Sequence, residues 1–369
     1  MENKVVLHVT GMESFKYGGI ERFNVKLSQA LWEKGFRSLF VYESFPSNEL
    51  YVNDLKNSHG EIVVLKSVKQ PIRFCIGLSK LIRQERPSIV HAHFTKARFY
   101  AIPLAYVKGI RNLVFTVHSA MYPKKLIKPF TKFWYAMANK MAKVIAVSED
   151  IASNYKANWP HATTKRIYLG VEAINGSKEA CRSRLGIPEP LTMVLTVANF
   201  NHIKGLDVLC KAISLLKQRG ELGDNVRFYI VGQPESDKRE LEALLSKLGL
   251  SDWVEMVGIS NEVTSYMCAA DFYVQPSRSE GLPLALMEAT SASLPIIGSR
   301  VGGIPEIVRE GYNGLLVESE NEQMLAVAMG KMLKDAQMRI SFSERSNKLY
   351  HELFSIDRGV GETISYYGI

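Results

Sequence analysis

The apolar positions of this chain fall in short β-rich runs separated by longer stretches with helical spacing, and the alternation continues from end to end. In the first half the runs are VVLHVT, RSLFVY, EIVVL, SIVHAH, LVFTVH and KVIAVS. Helical patterns such as Gly19 to Lys34 and Arg73 to Arg86 separate most of them. A stretch containing glycine and proline, from Gly170 to Pro190, interrupts the rhythm. It restarts with LTMVLTVA, NVRFYIVG, DWVEMVG, ADFYVQPS, LPIIGS and NGLLVE. Strands alternating with helices form parallel sheets covered on both faces. Two such series predict an α/β protein of two doubly wound, Rossmann-like domains. The expected division is 1–170, a linker over 171–190 and a second domain over 191–353, with a final helix at about 354–369 packing back on the first. In open α/β sheets ligands bind beyond the carboxyl ends of the strands. Two facing sheets would therefore line a central cleft, and the informative residues should follow strands directly.

The length of 369 residues agrees with two cores rather than one. Apolar and charged contents of 46% and 22% are ordinary for a globular enzyme. No apolar run is long enough to cross a bilayer, and MENKVVLHVT reads as a first strand, not a leader, which predicts a cytoplasmic protein. The four cysteines are scattered without a CxxC pair and read as reduced structural thiols. A formal charge of +9 suggests polyanionic company: nucleic acid, an anionic membrane face or phosphorylated substrates.

Candidate chemistry concentrates in SEGLPLALMEA, Ser279 to Ala289. It follows the strand DFYVQPS, and Pro283 suits the first turn of a helix. The amides of Gly281, Leu282, Leu284 and Ala285 are then donors without helical partners at a positive helix end. Glu280 sits at the mouth, where it can touch a sugar or stabilise positive charge. Glu288 lies two turns in, on an apolar helix, and a pair of ribose hydroxyls would satisfy it. On these residues alone, Glu280 as a helix-dipole partner and Glu288 as a solvated residue is an equal alternative.

This stretch resembles the Glu-x₇-Glu signature of family 4, the large family of retaining GT-B nucleotide-sugar glycosyltransferases. Other motifs along the chain resemble the family in the expected order. They are YGGIERF, TVHSA, AVSED, LGVE (with Leu169 where asparagine is usual), VANFNHIKGLDVL, VGGIPEIV and GYNGLLV. The resemblance implies that the loop at Gly18 and Gly19 covers the donor diphosphate or the acceptor, and that His118 lies by the donor sugar and diphosphate. It assigns Lys204 to neutralising the diphosphate leaving group. The base is expected against VEMVG, near Met256 to Gly258, with Val257 and Gly258 as the candidate contacts. The family's usual arginine falls here at Asn199, which supplies no charge, and His202, Arg166 and Arg278 are the candidates to compensate.

By resemblance, then, Glu280, His118 and Lys204 are the catalytic candidates. Gly18, Gly19, Asn199, Lys204, Val257, Gly258, Glu280, Gly281, Leu282, Pro283, Leu284 and Glu288 are expected to bind donor. The implied activity is retaining, metal-independent hexosyl transfer from a nucleotide sugar, UDP-sugar favoured, to a glycan or lipid-linked acceptor in bacterial surface polysaccharide or glycolipid synthesis. A front-face displacement, with the leaving phosphate helping to deprotonate the acceptor, is the favoured route to retention. No cofactor is expected. HAH, His91 to His93, is not read as a metal site, because alternating strand residues point opposite ways and no third ligand is evident.

The segment KKLIK places Lys124, Lys125 and Lys128 around Leu126 and Ile127. It is read as a membrane or acceptor surface on the inner face of the cell membrane, with a solvated basic loop as the alternative. A nucleotide-sugar isomerase or epimerase, or a non-catalytic sugar-nucleotide-binding protein, would share the architecture. A nicotinamide dehydrogenase lacks its G-x-G-x-x-G, since GMESFKYGGIE does not provide it. Nucleic-acid binding has only the charge in its favour.

Overall fold

The computed structural model describes residues 4–11, 14, 17–65, 70–118, 129–234 and 236–369, with the side chains of 95, 96 and 129–133 outside that description. Lys124, Lys125 and Lys128 lie outside the described residues. The chain divides into two compact units, Met1–Gly170 with Ile356–Ile369, and Val171–Ser355.

The first unit holds a parallel sheet ordered β3-β2-β1-β4-β5-β6-β7. Its strands are β1 (Val5–Val9), β2 (Arg37–Tyr42), β3 (Gly60–Val64), β4 (Ile89–His93), β5 (Asn112–Val117), β6 (Lys143–Ala146) and β7 (Thr164–Arg166). The second holds β10-β9-β8-β11-β12-β13. These are β8 (Thr192–Val197), β9 (Val226–Val231), β10 (Val254–Gly258), β11 (Phe272–Gln275), β12 (Ile296–Ser299) and β13 (Gly314–Val317). The named pairs of both sheets are parallel, as short apolar strands buried on two faces require. Strand order reverses between β1 and β4 in one unit and between β8 and β11 in the other. Loops leaving those strands open to opposite faces of the sheet there, so each reversal leaves a crevice at the carboxyl ends.

The helix Ile356–Tyr367 belongs to the first unit, where it packs against helix Gly19–Glu33. Gly359 lets the same helix lie against the segment after β7: a Cβ there would stand 2.3 Å from the Leu169 carbonyl oxygen. Asn112 Nδ2 and Lys143 Nζ donate to the carbonyls of Tyr367 and Tyr366 at 2.6 and 2.9 Å. The stretch 171–190 is not a linker. It carries helix Lys178–Leu185, capped by Ser177 and ended by Gly186 in the left-handed region. Arg182 of that helix is buried and bridges Asp271 at 2.8 Å and Glu189 at 2.6 Å. A polar-looking segment thus became part of the second unit because its charges found partners there. The core of that unit gathers Phe228, Phe272, Leu209, Ile213, Met329 and Phe342 from strands and helices on both sides of the sheet.

Candidate active site

In the second unit, β8 runs into a loop that ends in the 3₁₀ turn His202–Lys204 and then helix Leu206–Gln218. Gly205 joins turn to helix with φ of +65°, and a Cβ there would meet the Pro276 carbonyl oxygen at 2.1 Å. Only glycine lets the loop after β8 lie so close to the loop after β11. That closeness brings Lys204 Nζ within 2.8 Å of Glu280 Oε1. The same oxygen accepts from Ser277 Oγ at 2.7 Å and Gln275 Nε2 at 3.1 Å. Glu280 Oε2 receives no hydrogen bond from any described residue.

Behind this carboxylate the Tyr273 hydroxyl donates within a buried network of Val197 and Gln275, at 3.0 and 2.9 Å. Burial pushes that hydroxyl far above its ordinary range, and the nearby Glu288 and Glu280 carboxylates add to the push. Glu288 is half-buried on helix Leu284–Ser291, which starts after Pro283 without a side-chain cap. The amides of Gly281, Leu282, Leu284 and Ala285 donate to no described residue. They remain available to an anion at a positive helix end.

The glycines of VGGIPEIV have a role that the sequence reading missed. A Cβ on Gly302 would lie 1.9 Å from the Glu280 carbonyl oxygen, and one on Gly303 2.4 Å from that of Gly281. The Gly303 amide donates to the Gly281 carbonyl at 2.8 Å. The pair grips the backbone of the Glu280 loop from the β12 side. Two adjacent glycines just past a strand were the available signal.

Arg278 does not compensate for Asn199. Its Nη1 and Nη2 grip Asp207 at 2.8 and 2.9 Å, and its Nε reaches Glu320 at 3.0 Å. Burial alone would raise the Asp207 carboxyl, but Arg278 outweighs it and holds the group below its ordinary range. Arg166 belongs to the first unit, where it stacks over Tyr168 and stands 3.7 Å from Glu149. His202 is exposed on the 3₁₀ turn. Val257 and Gly258 end the edge strand β10, where Gly258 turns with φ of +77° and its carbonyl accepts from Gly232 at 2.8 Å.

In the first unit the glycine loop follows β1. Gly18 is the N-cap of helix Gly19–Glu33, and its amide donates to Glu21 Oε2 at 3.1 Å. The other Glu21 oxygen accepts from Ser14 Oγ at 2.9 Å. Glu21 is buried, so this carboxylate shapes the loop from beneath. It was absent from the residues expected from sequence, although a glutamate three places after the cap is a capping-box spacing.

His118, just after β5, stacks on Phe94 with ring centres 4.7 Å apart, and its Nε2 lies 3.3 Å from His93 Nδ1. His118 is closely surrounded, and desolvation pulls its pKa down to about 4. Burial likewise lowers His93 and His91 well below their ordinary value, and His8 to about 3. All four rings are neutral at pH 7.

Here the reading of HAH needs correcting. His91 and His93 are two positions apart, so a strand points them to the same side. The register of β1 sets His8 directly opposite His91, supplying the third histidine that the sequence did not reveal. Nitrogens of His8, His91 and His93 lie within 4.8 Å of one another. The set suits a metal poorly all the same. His91 Nδ1 is bonded to the Tyr367 hydroxyl at 2.6 Å and Nε2 to Thr116 at 2.7 Å. The His91 and His93 rings lie 4.1 Å apart at 34°. Lone pairs in the planes of such closely layered rings do not converge on one ion at ligand distance.

Two family models match the chain in tandem: Glycosyltransferase Family 4 over residues 17–173 and Glycosyl transferases group 1 over 177–349. The chain belongs to the family 4 glycosyltransferases. An uncharacterised glycosyltransferase of Methanocaldococcus jannaschii is 29% identical, over 93% of this chain and 92% of that one. A D-inositol 3-phosphate glycosyltransferase of Streptomyces scabiei is 34% identical, over 66% of this chain and 59% of its own. Among solved structures, a Rickettsia africae glycosyltransferase superposes with a TM-score of 0.83 at 18% identity, covering 100% of this chain and 98% of that one. An Anabaena protein, HepE, solved with UDP-glucose, gives 0.78 at 21% identity, with 98% and 99% covered. These likenesses establish the GT-B fold of two Rossmann-like domains. Family 4 membership makes the protein a glycosyltransferase.

Proposed function

We propose that this glycosyltransferase moves a hexose with retention from a nucleotide sugar, a UDP-sugar before others, to a glycan or lipid-linked acceptor of bacterial surface polysaccharide or glycolipid. The observation that carries the reading is the meeting of Lys204, Glu280 and the unpaired amides of Gly281, Leu282, Leu284 and Ala285 at the β8/β11 crevice. A diphosphate there finds one ammonium and several N–H donors, and the sugar next to it meets the open Glu280 oxygen. The UDP-bound Anabaena neighbour supports the donor class.

In this mechanism Lys204 exchanges or shares its ion pair with Glu280 to reach the diphosphate. Its charge then counts most as the glycosidic bond breaks and negative charge builds on the leaving phosphate. Glu280 orients the sugar through hydrogen bonds, held in place by Ser277 and Gln275. The leaving phosphate takes the acceptor proton on the same face, which gives retention without a covalent intermediate. Glu288 holds the ribose. His118 acts as a neutral hydrogen-bonding group at the sugar and diphosphate. No resident metal takes part, because the lysine and the helix-end amides carry the phosphate charge. The enzyme works on the cytoplasmic side, in peripheral contact with an anionic membrane.

A thermal-shift panel of UDP-, GDP- and ADP-sugars tests the donor reading, since a ligand bound only by the folded state raises the melting temperature by mass action. A UDP-sugar should give the largest shift and release UDP on turnover. No shift with any nucleotide sugar, in a folded preparation, rejects the site.

A further inference from the structure

The helix Pro71–Glu85 of the first unit is apolar on two sides. Phe74, Leu78 and Ile82 are buried against the fold, as an amphipathic helix requires. On its outer side, Ile72 and Ile76 are 77% and 54% exposed, one turn apart on one stripe. The neighbouring helix Thr95–Val107 ends alongside, and its Val107 is 79% exposed. A shallow hollow of about 640 Å³ on this face is lined by Ile72, Cys75, Ile76, Lys80 and Arg83 of the first helix and Leu104 of the second. Val107 and Lys108 follow Leu104 by one helical turn and extend the same face.

Among the described residues, the charged side chains on this face have one sign. Arg73, Lys80, Arg83 and Lys108 are exposed. The single acid of the first helix, Glu85, points to the opposite side, where it pairs with Arg37 at 3.2 Å. Pairing this face with a second copy of itself would set cation against cation. Apolar side chains ringed by lysine and arginine instead match the boundary of a bilayer, where anionic headgroups overlie hydrocarbon.

We infer that the face of Pro71–Glu85 and the end of Thr95–Val107 is the docking surface for an anionic lipid bilayer. Ile72, Ile76 and Val107 enter the acyl boundary, and the four cations contact the headgroup phosphates while their stems lie along the apolar surface. The inference rests on the peripheral membrane contact of the proposed function and gives it a location in the described part of the chain. It uses no residue of the candidate active site.

Flotation with vesicles tests it. The protein should float with equal parts of phosphatidylcholine and phosphatidylglycerol at low salt, and stay behind with phosphatidylcholine alone. Lys80→Gln with Arg83→Gln should weaken partitioning about twentyfold, since each basic residue near an anionic surface is worth about fivefold. Ile72→Ser with Ile76→Ser should weaken it to a similar degree, and that loss should persist at high salt, where the charge effect is screened. The thermal shift with UDP-sugar should be unchanged in each variant. It reports folding and donor binding separately, and if the serine pair fails to fold, the glutamine pair decides. Equal flotation of both variants and parent, or binding lost only on replacing Lys124, Lys125 and Lys128, overturns the inference.

Discussion

The two strand-order reversals differ in the chemistry they gather. At β8/β11 the polar groups are charged and paired: Lys204 with Glu280, Arg278 with Asp207. At β1/β4 they are buried, neutral imidazoles stacked on one another, His8, His91 and His93, with His118 beyond. The same strand-order reversal therefore carries two electrostatic settings: charges held in salt bridges at one, and rings kept neutral by burial at the other.

Acid should break the comparison most strongly. The His8 pKa falls from 6.5 to about 3 on folding, and its three neighbours shift the same way. A depressed pKa gives stability that is present above the unfolded value and is lost as pH falls through the folded one. For His8 alone this loss amounts to on the order of 4 kcal/mol between pH 6.5 and 3. Hydrogen exchange at pH 5 should show the first unit loosening before the second, whose histidines, His202 and His351, are exposed. Simultaneous loosening of both units would count against the neutral histidine cluster.

Lys204→Ala comes next. If Lys204 is the cation at the diphosphate, kcat should fall roughly a hundredfold or more, as on loss of one oxyanion donor. Asn199→Arg should raise donor affinity or partly restore the Lys204→Ala variant. Steady-state kinetics of both single variants and the double variant decide, and near-parental kcat in Lys204→Ala places the diphosphate elsewhere.

A smaller effect is expected from Glu288→Ala: if Glu288 holds the ribose, the variant should weaken donor binding by about 1.5–3 kcal/mol. Calorimetric titration measures this, and an unchanged Kd in a folded variant rejects the ribose role. The smallest effect is the most discriminating. If charge neutralisation falls to Lys204 and to backbone amides, EDTA should leave turnover unchanged. Loss of activity with EDTA, restored by Mg²⁺ or Mn²⁺, would contradict that assignment.

Much of the architecture was legible in the chain because parallel strands buried on two faces leave unbroken apolar runs. Each of the twelve runs read from sequence coincides with a strand of the structure to within a few residues at either end. The strand missed, β7, is Thr164–Arg166, three residues without an apolar member, and it exists only because β6 offers it an edge. The supposed linker failed for a related reason. Arg182 is buried through its bridge to Asp271, 89 positions along the chain, which no local pattern shows.

Local sequence determined where the strands, the helix-opening glycines and the two glutamates stand, since these follow from periodicity, capping and backbone freedom over a few residues. It also carried the family. Tertiary structure alone decided which groups meet. The approach of two loops at Gly205 pairs Lys204 with Glu280, and the β1/β4 register turns HAH into part of a histidine cluster. The packing of helix Lys178–Leu185 on Val263–Ala269 brings the Cys268 and Cys181 thiols together beside Gly176, which the spacing of cysteines did not foretell. Such contacts depend on strand order and register, and these are settled by how whole elements pack, not by the residues that happen to touch.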